Sequence, residues 1–309
     1  MEIVESNQIE YKSVIENPYH IFNSADFNDL NRNKCSDVKY FLFKDSKYRL
    51  GFIGGIRNGY LISPFSAPFG GFSFLRQDVQ ISAIEAAIDL LGKYVFDNQL
   101  KGIKILLPPL IYNESFLSKL INAFYRRGYT VNNLDLDFYA DLKMMTNYSE
   151  HIWYNAKKNL KISLKQNFEF IKCDDKDIEE VYEVIKLNRE FKGKPLNMSL
   201  EDILATSKVI PTDFFIVLQN GVSVASAVVF HATESIMYVP FWGDKPGFGL
   251  SKPMNFISSK IFEYYHNANK KYVHIGIATE ESMPNYGLCE FKESIGCTIT
   301  PKLTFLKEF

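Results

Sequence analysis

The order of apolar and polar positions divides the first half of the chain into strands and helices. Val38–Lys44, Tyr48–Ile56 and Tyr60–Ser63 have strand character, and the Asn58-Gly59 turn between the last two is typical of a hairpin. Apolar residues at helical spacing predict a helix over Val79–Phe96. The other predicted elements of this half are a Pro-, Gly- and Phe-rich loop over Pro64–Phe74, a strand over Ile103–Leu107, a helix over Glu114–Arg126 followed by Gly128, and a strand over Tyr129–Leu142.

The second half repeats this order behind a basic amphipathic helix predicted over His151–Gln166. Its predicted elements are a strand over Phe168–Lys172, helices over Ile178–Phe191 and Leu200–Ser207, strands over Phe214–Leu218, Ser223–Phe230 and Ser235–Phe241, a Gly/Pro loop over Gly243–Gly249, a helix over Ser251–Asn267, a strand over Tyr272–Ile277, a short helix over Gly287–Ser294 and a strand over Thr298–Leu306. The repeated order indicates duplication of a domain. We predict an α/β fold with a mixed sheet, in two domains over residues 1–145 and 146–309.

Composition allows a large core and limits the partners. The chain has 309 residues, of which 46% are hydrophobic and 15% aromatic. Its net charge of −1 disfavours extensive binding to a nucleic-acid backbone, which normally needs a clear basic excess. No secretion signal and no apolar run of about 20 residues is visible, so a soluble cytoplasmic protein is expected. The four cysteines show no metal-ligand spacing, so we expect reduced thiols and predict no metal site.

Three segments carry a resemblance to a known family. They are the loop that runs from Leu61-Ile62-Ser63 through Pro64-Phe65 to Phe69-Gly70-Gly71, the basic stretch Asn155-Ala156-Lys157-Lys158-Asn159-Leu160-Lys161, and Asn285-Tyr286-Gly287-Leu288-Cys289-Glu290-Phe291-Lys292-Glu293-Ser294-Ile295-Gly296. With the order of elements, they make residues 38 to 309 resemble the FemAB-like group of the GNAT (acyl-CoA N-acyltransferase) superfamily. The resemblance implies two GNAT-like domains in tandem and an N-acyltransferase that acts on an amine of a sugar, a peptide or a cell-envelope precursor.

Two departures from the family pattern bear on the acyl donor. The long charged helical hairpin often found in members that use aminoacyl-tRNA is not visible, and neither is a complete pyrophosphate-binding loop. We therefore expect an acyl-CoA as donor, bound together with an amine-bearing acceptor in the groove between the domains. One alternative is an aminoacyl-tRNA-dependent enzyme of the peptidoglycan-building type. The other is a GNAT fold without catalytic activity that binds a ligand or serves as a scaffold.

Lys292 is the first catalytic candidate. In the role that the resemblance implies, its ammonium lies near the ester or thioester of the donor and compensates the developing negative charge. The alternative is a surface lysine on an amphipathic helix. Glu280 and Glu281 are acid–base candidates because they follow a predicted strand that ends near Ile277, where open α/β sheets commonly bind ligands; a solvated loop is the alternative.

The segment Gly247-Phe248-Gly249-Leu250-Ser251 is the candidate for binding the donor's pyrophosphate. Backbone N–H groups at the start of a helix attract anions, and Lys252 would add a charge. The alternative is an ordinary loop in which Ser251 caps the helix. The loop Phe69–Gly71 would bring backbone close to a ligand.

Aromatic and polar side chains at strand ends suit an acceptor groove, although most of the tyrosines must be ordinary packing residues. The remaining substrate-binding candidates are Tyr60, Arg76, Tyr238, Trp242, Asn285 and Tyr286. His231 and His274 are further possible bases, each more often a core residue when it lies on an apolar strand.

The basic helix allows two interpretations. Its lysines Lys157, Lys158, Lys161 and Lys165 invite contact with RNA, a membrane or another anion, whereas a solvated face is the ordinary alternative. In that alternative its apolar residues pack against the protein; they are Ile152, Trp153, Ala156, Leu160 and Leu164.

Overall fold

A computed structural model describes residues 1–174 and 177–309 of the chain. The strands are β1 (Glu2–Ser6), β2 (Asp37–Lys44), β3 (Tyr48–Arg57), β4 (Tyr60–Ser63), β5 (Phe72–Phe74), β6 (Gly102–Leu106), β7 (Thr130–Asp141), β8 (Phe168–Lys172), β9 (Thr212–Gln219), β10 (Val222–His231), β11 (Ile236–Asp244), β12 (Tyr272–Ile277), β13 (Thr279–Glu280), β14 (Met283–Pro284) and β15 (Thr298–Glu308). The helices are α1 (Gln8–Val14), α2 (Ala25–Leu30), α3 (Ile81–Asp97), α4 (Glu114–Arg126), α5 (Tyr148–His151), α6 (Tyr154–Ser163), α7 (Ile178–Phe191), α8 (Leu200–Ser207), α9 (Pro253–Asn267) and α10 (Tyr286–Ser294). The predicted mixed α/β fold is confirmed.

The chain folds into two compact units. Unit 1 contains Met1–Leu136, Glu281–Met283 and Thr300–Phe309, and unit 2 contains Asp137–Glu280 and Pro284–Ile299. The units differ from a simple cut at residue 145, because residues 137–145 group with unit 2 and residues 300–309 group with unit 1. As a boundary between the two sequence repeats, the division into 1–145 and 146–309 stays a prediction.

The sheet of unit 1 has the strand order β1-β2-β3-β4-β6-β15-β7, and β5 pairs with β3. Strands β1 to β4 form an antiparallel meander. Helix α3 then leads to β6, which runs parallel to β4 from Tyr60↔Gly102 to Ser63↔Ile105. The apolar face of α3 is buried, as its helical spacing predicts.

The sheet of unit 2 follows the same plan, with the order β7-β12-β11-β10-β9-β8. Strands β8 to β11 form an antiparallel meander. Helix α9 then leads to β12, which runs parallel to β11. The two units therefore share one order of elements, in agreement with the duplication that the sequence indicates.

The last strand of each half pairs outside its own half. Strand β15 ends the second half and pairs antiparallel with β6 in unit 1, from Thr304↔Leu106 to Glu308↔Gly102. Strand β7 ends the first half, and its final residues pair antiparallel with β12 in unit 2, from Asp137↔Ile277 to Asp141↔Tyr272. The two repeats have thus exchanged their last strands.

Several local predictions need correction. The loop predicted over Pro64–Phe74 ends in a strand, β5, because Phe72 to Phe74 pair with β3. The helix predicted over His151–Gln166 is divided: α5 ends at His151, Ile152 and Trp153 are extended, and α6 begins at Tyr154. The polar beginning of the chain, for which no element is predicted, forms β1, α1 and α2.

The core of unit 1 encloses an imidazole. His20 is fully buried, and within residues 1–174 and 177–309 neither of its ring nitrogens has a hydrogen-bond partner. Its ring lies 4.6 Å from the ring centroid of Tyr19 and 5.0 Å from that of Phe69. Burial among these rings lowers the pKa of His20 to about 3, so the imidazole is neutral at pH 7.

A buried carboxylate connects three strands and a helix in unit 2. Asp213 of β9 accepts a hydrogen bond from the Tyr265 hydroxyl of α9 at 2.7 Å, and its second oxygen lies 2.7 Å from Lys172 Nζ of β8. His231 Nε2 of β10 lies 2.8 Å from the same carboxylate. Burial alone would raise the pKa of Asp213, but the hydrogen bonds from His231, Lys172 and Tyr265 outweigh it and hold that pKa below its usual range.

Candidate functional site

The parallel strands of unit 2 pair only at their beginnings. Strands β11 and β12 are in register from Ile236↔Tyr272 to Tyr238↔His274. Beyond that point β11 continues to Asp244 beside β10, and β12 continues to Ile277 beside β7. The carboxyl ends of parallel strands are where open α/β sheets commonly bind ligands. The search for a site therefore starts at this end of β11 and β12.

Lys292 of α10 reaches the end of β12. Its side chain is buried, with 2% of the residue exposed. Its Nζ donates hydrogen bonds to the main-chain oxygens of Ile275 at 2.9 Å, Gly276 at 2.8 Å and Ile277 at 2.9 Å. An ammonium has three N–H donors, so these three carbonyls match its donor capacity. Lys292 is thus a buried, fixed cation, and the alternative of a surface lysine is wrong.

A glycine lets three successive carbonyls meet one ammonium. In a regular strand successive carbonyls point in opposite directions. Gly276 has φ = +72°, a conformation that favours glycine, and the register of β12 with β7 shifts between His274 and Gly276. The irregularity brings the oxygens of residues 275 to 277 to the same point. The Nζ of Lys292 also lies 5.1 Å from the ring centroid of Phe138, a favourable cation–π distance.

The other face of the same strands carries a buried acid–imidazole pair. His274 Nε2 lies 2.8 Å from Asp137 Oδ1, and both side chains are fully buried. The Tyr238 ring packs 4.8 Å from the His274 ring. Because Asp137 and Phe138 are neighbours on β7, their side chains point to opposite faces, and so the pair and Lys292 hold β12 from opposite sides.

The sequence reasoning weighed His274 but missed Asp137. A signal was present in the segment Leu134–Ala140, where Asp135 and Asp137 alternate with apolar residues on a strand. An acid on a buried strand normally has a partner. The partner itself lies on a strand far away in the chain, and the local pattern does not identify it.

Three more predicted site residues lie on the same elements. Trp242 of β11 packs edge-on against Phe291 of α10, with ring centroids 6.5 Å apart. Asn285 caps α10 by accepting a hydrogen bond from the Leu288 N–H at 3.1 Å, and its own N–H donates to the Ala278 oxygen. Tyr286 is 74% exposed at the first position of α10. The structure therefore brings Trp242, Asn285 and Tyr286 to the elements around Lys292, whereas Tyr238 packs on His274 at the opposite face of β12.

The two acidic candidates lie at the surface. Glu280 is in β13, and its carboxylate pairs with Lys194 Nζ at 2.9 Å while 80% of its side chain is exposed. Glu281 is exposed and has φ = +49°.

The segment Gly247–Ser251 before α9 has open space at its glycines. Its Ser251 does not cap the helix, unlike in the ordinary loop considered as the alternative. A Cβ added at Gly247 or Gly249 would meet no atom of the described residues within 4 Å. The Ser251 hydroxyl donates to the Phe248 oxygen at 2.7 Å and does not cap α9. Lys252 occupies the cap position in the left-handed conformation, with φ = +60°, and Pro253 begins the helix. One backbone N–H of the first turn is thereby lost to proline.

The predicted substrate-binding residues of unit 1 are already engaged in contacts within the protein. The Gly70 N–H donates to the Leu106 oxygen at 2.8 Å, and the Gly71 N–H donates to the Ser63 hydroxyl at 3.0 Å. Phe69 is fully buried in the core. The Tyr60 hydroxyl donates to the Glu308 carboxylate at 2.8 Å, and the exposed Arg76 pairs with Asp78.

A concave surface of unit 2 contains none of the predicted residues. Its volume is about 540 Å³, and its lining residues are Asp141, Lys143, Met144, His151, Trp153, Glu293, Gly296, Cys297 and Thr298. Cys297 is buried there, and burial raises the pKa of its thiol to about 12, so the thiol is unreactive at pH 7. This surface lies beside the beginning of α6, since its lining residue Trp153 directly precedes Tyr154, the first residue of that helix.

No protein-family model matches this chain, and neither does any curated protein sequence. Solved structures match its fold. FemX superposes with a TM-score of 0.73 at 10% sequence identity, over 100% of this chain and 98% of that one. L-PGS from Bacillus licheniformis superposes with a TM-score of 0.62 at 12% identity, over 97% of this chain and 92% of that one.

A further match is a tandem GNAT protein from the clavulanic acid biosynthesis pathway. Its TM-score is 0.53 at 7% identity, and the match covers 99% of this chain and 98% of that one. At such low identities the likeness describes the fold. The chain has a FemAB-like GNAT fold, as the three sequence segments predict.

Proposed function

We propose that this protein, which has the fold of FemX and of tandem GNAT proteins, is an N-acyltransferase. It would move an acyl or aminoacyl group onto an amine of a sugar, a peptide or a cell-envelope precursor. The observation that carries the proposal is the buried ammonium of Lys292, fixed by three carbonyls at the end of the parallel strands β11 and β12. A fixed charge at a ligand-binding end of a sheet is suited to stabilising a developing oxyanion.

In the proposed reaction the acceptor amine attacks the carbonyl carbon of the donor. Negative charge develops on the carbonyl oxygen, the thiolate or tRNA hydroxyl departs, and the amine loses a proton. Lys292 acts by its charge, because its three donors are directed to carbonyls and it therefore makes an unsuitable base. Burial strengthens that charge, since a low local dielectric weakens electrostatic interactions less than water does. We propose Glu280 and Glu281, just beyond β12, as the acid–base groups.

The donor is proposed to be an acyl-CoA. The open backbone of Gly247 and Gly249, with Ser251 and Lys252 at the entry to α9, would hold its pyrophosphate. The side chains of Trp242, Asn285 and Tyr286 would contact the acyl group or the acceptor. Tyr238 would instead support β12 from its other face, through His274. The alternative donor is an aminoacyl-tRNA, and the alternative to catalysis is ligand binding alone.

The donor is tested first by thermal unfolding with acetyl-CoA, longer acyl-CoAs and free CoA. A ligand present at about 100 times its dissociation constant stabilises the folded chain by roughly 2.7 kcal/mol, which raises the unfolding temperature by several degrees. A rise with acyl-CoAs supports the proposal. If only aminoacyl-tRNA binds, with an affinity that falls steeply with salt, the tRNA donor replaces the CoA donor.

Catalysis is tested with Lys292→Met, which removes the charge and keeps an unbranched side chain that is one atom shorter. We expect the acyl-transfer rate constant to fall on the order of 100-fold, the size of effect seen when an oxyanion-stabilising group is removed. Lys307→Met is the matched control, because Lys307 also donates to a main-chain oxygen, that of Arg127, and lies over the Tyr129 ring. Equal rates in both variants would remove Lys292 from the mechanism.

A further inference from the structure

Charge is strongly segregated around helix α6. From His151 to Phe168 the chain contains four lysines and no aspartate or glutamate, although its overall net charge is −1. At 100° per residue, Lys157, Lys158 and Lys161 lie within an arc of about 100° on α6. Lys165 lies in the turn that follows the helix. One side of α6 is therefore uniformly basic.

The lysine side chains of this face are not used inside the protein. Within residues 1–174 and 177–309, no ammonium group of these four lysines has a hydrogen bond or an ion pair. Lys158, Lys161 and Lys165 are exposed. By contrast, lysines elsewhere, such as Lys194 and Lys260, pair with carboxylates. The four charges are thus available to an external partner.

Apolar side chains accompany the lysines. Tyr154, within the same arc, is 83% exposed. Along one edge of the arc lie Leu164, which is 59% exposed, and Trp153, which is 46% exposed. The opposite side of α6 holds it to the protein through the buried residues Ala156 and Ser163. Some apolar residues of the segment therefore pack against the protein, and others are exposed to solvent.

We propose that this α6 face, formed by the four lysines with Tyr154, Trp153 and Leu164, docks the protein on the surface of a negatively charged bilayer. Each lysine near an anionic membrane contributes favourable electrostatic energy, and Trp and Tyr favour the interfacial region. Exposed Leu164 and Trp153 suit a bilayer better than a phosphate backbone. A net charge of −1 also suits local docking more than extensive binding to RNA. This inference does not depend on the proposed function.

The test is co-sedimentation of the full chain with vesicles of phosphatidylcholine, with or without one third phosphatidylglycerol. We expect binding only to the vesicles that contain phosphatidylglycerol, weakened between about 0.1 M and about 0.5 M NaCl. In the triple variant Lys158→Gln, Lys161→Gln, Lys165→Gln the affinity should fall on the order of 100-fold. The control carries the same charge change elsewhere, at the exposed residues Lys47, Lys192 and Lys208, and should bind like the wild type.

A second measurement uses the wild-type surface and does not depend on how the triple variant folds. The chain has two tryptophans, so in Trp242→Phe the emission reports on Trp153 alone. We expect this emission to shift to shorter wavelength on phosphatidylglycerol vesicles as Trp153 enters the interface. Absence of binding, equal binding to both kinds of vesicle, or equal loss in both triple variants would overturn the proposal. The proposal would also be overturned if the chain bound bulk tRNA and no vesicles, and if the α6 triple variant lost that tRNA binding.

Discussion

Replacing Asp213 by asparagine tests the polar network that joins β8, β9, β10 and α9. The carboxylate has partners at 2.7, 2.7 and 2.8 Å, and its side chain is 9% exposed. Asp213→Asn leaves the Lys172 ammonium without its opposite charge and places an amide NH2 among hydrogen-bond donors. Removing one partner of a buried ionic contact costs about 3 kcal/mol or more. For a unit of this size, that corresponds to a fall in unfolding temperature of about 10 °C.

The pH dependence supplies an independent check. Because the hydrogen bonds hold the folded-state pKa of Asp213 below its unfolded value, the carboxylate stabilises the folded chain fully above that unfolded value, about 3.9. The stabilisation is lost progressively as the pH falls from the unfolded pKa toward the lower folded pKa. The difference in unfolding temperature between wild type and variant, followed by circular dichroism, should therefore be smaller near pH 3 than at pH 7. Asp45→Asn, which removes an exposed partner of Arg49, is the control and should differ little from wild type. An unchanged unfolding temperature for Asp213→Asn at pH 7 would refute the reasoning.

Two further substitutions test packing. His20→Leu should raise the free energy of unfolding by about 1 kcal/mol in chemical denaturation, because it removes two buried nitrogens that have no hydrogen-bond partner in the described part of the chain. Because burial favours the neutral ring, the wild type should lose stability as the pH falls from the ordinary histidine pKa of about 6.5 toward the folded value of about 3. His20→Leu should not show this loss. A variant less stable than the wild type at pH 5 would contradict the reasoning. Gly296→Ala should lower the free energy of unfolding by at least about 1 kcal/mol in the same assay. The reason is that Gly296 has φ = +89°, and a Cβ there would come 2.9 Å from Met144 Sδ and 3.4 Å from the His151 oxygen. A variant as stable as the wild type would count against strain at this turn.

Long periodic segments were predictable because their own residues determine them. Helices Glu114–Arg126 and Ile178–Phe191 have the bounds that their apolar spacing predicts. Strand β1 was not predictable, since Glu2–Ser6 is half polar and becomes a strand by pairing with β2. Tertiary pairing decides short segments of this kind.

The site was predictable in its parts and not in its geometry. The family segment identified Lys292, but the helix pattern around it is also that of a surface lysine. Its burial depends on Gly276 and the carbonyls of β12, which lie on another element. The Asp137–His274 pair likewise joins residues far apart in sequence. Local periodicity contains no information on such contacts.

The exchanged strands have a consequence for the order in which the protein can be made. A ribosome releases the first half of the chain long before it reaches Thr300–Phe309, yet unit 1 includes those last residues, and β6 needs β15 as its neighbour. Domains generally fold as units during synthesis, from the N-terminus onward. Here the first unit must wait, with one side of β6 unpaired, until residues 300–309 have been synthesised. Neither repeat could then be inherited, expressed or lost as an independent gene segment without leaving a gap in the sheet of the other.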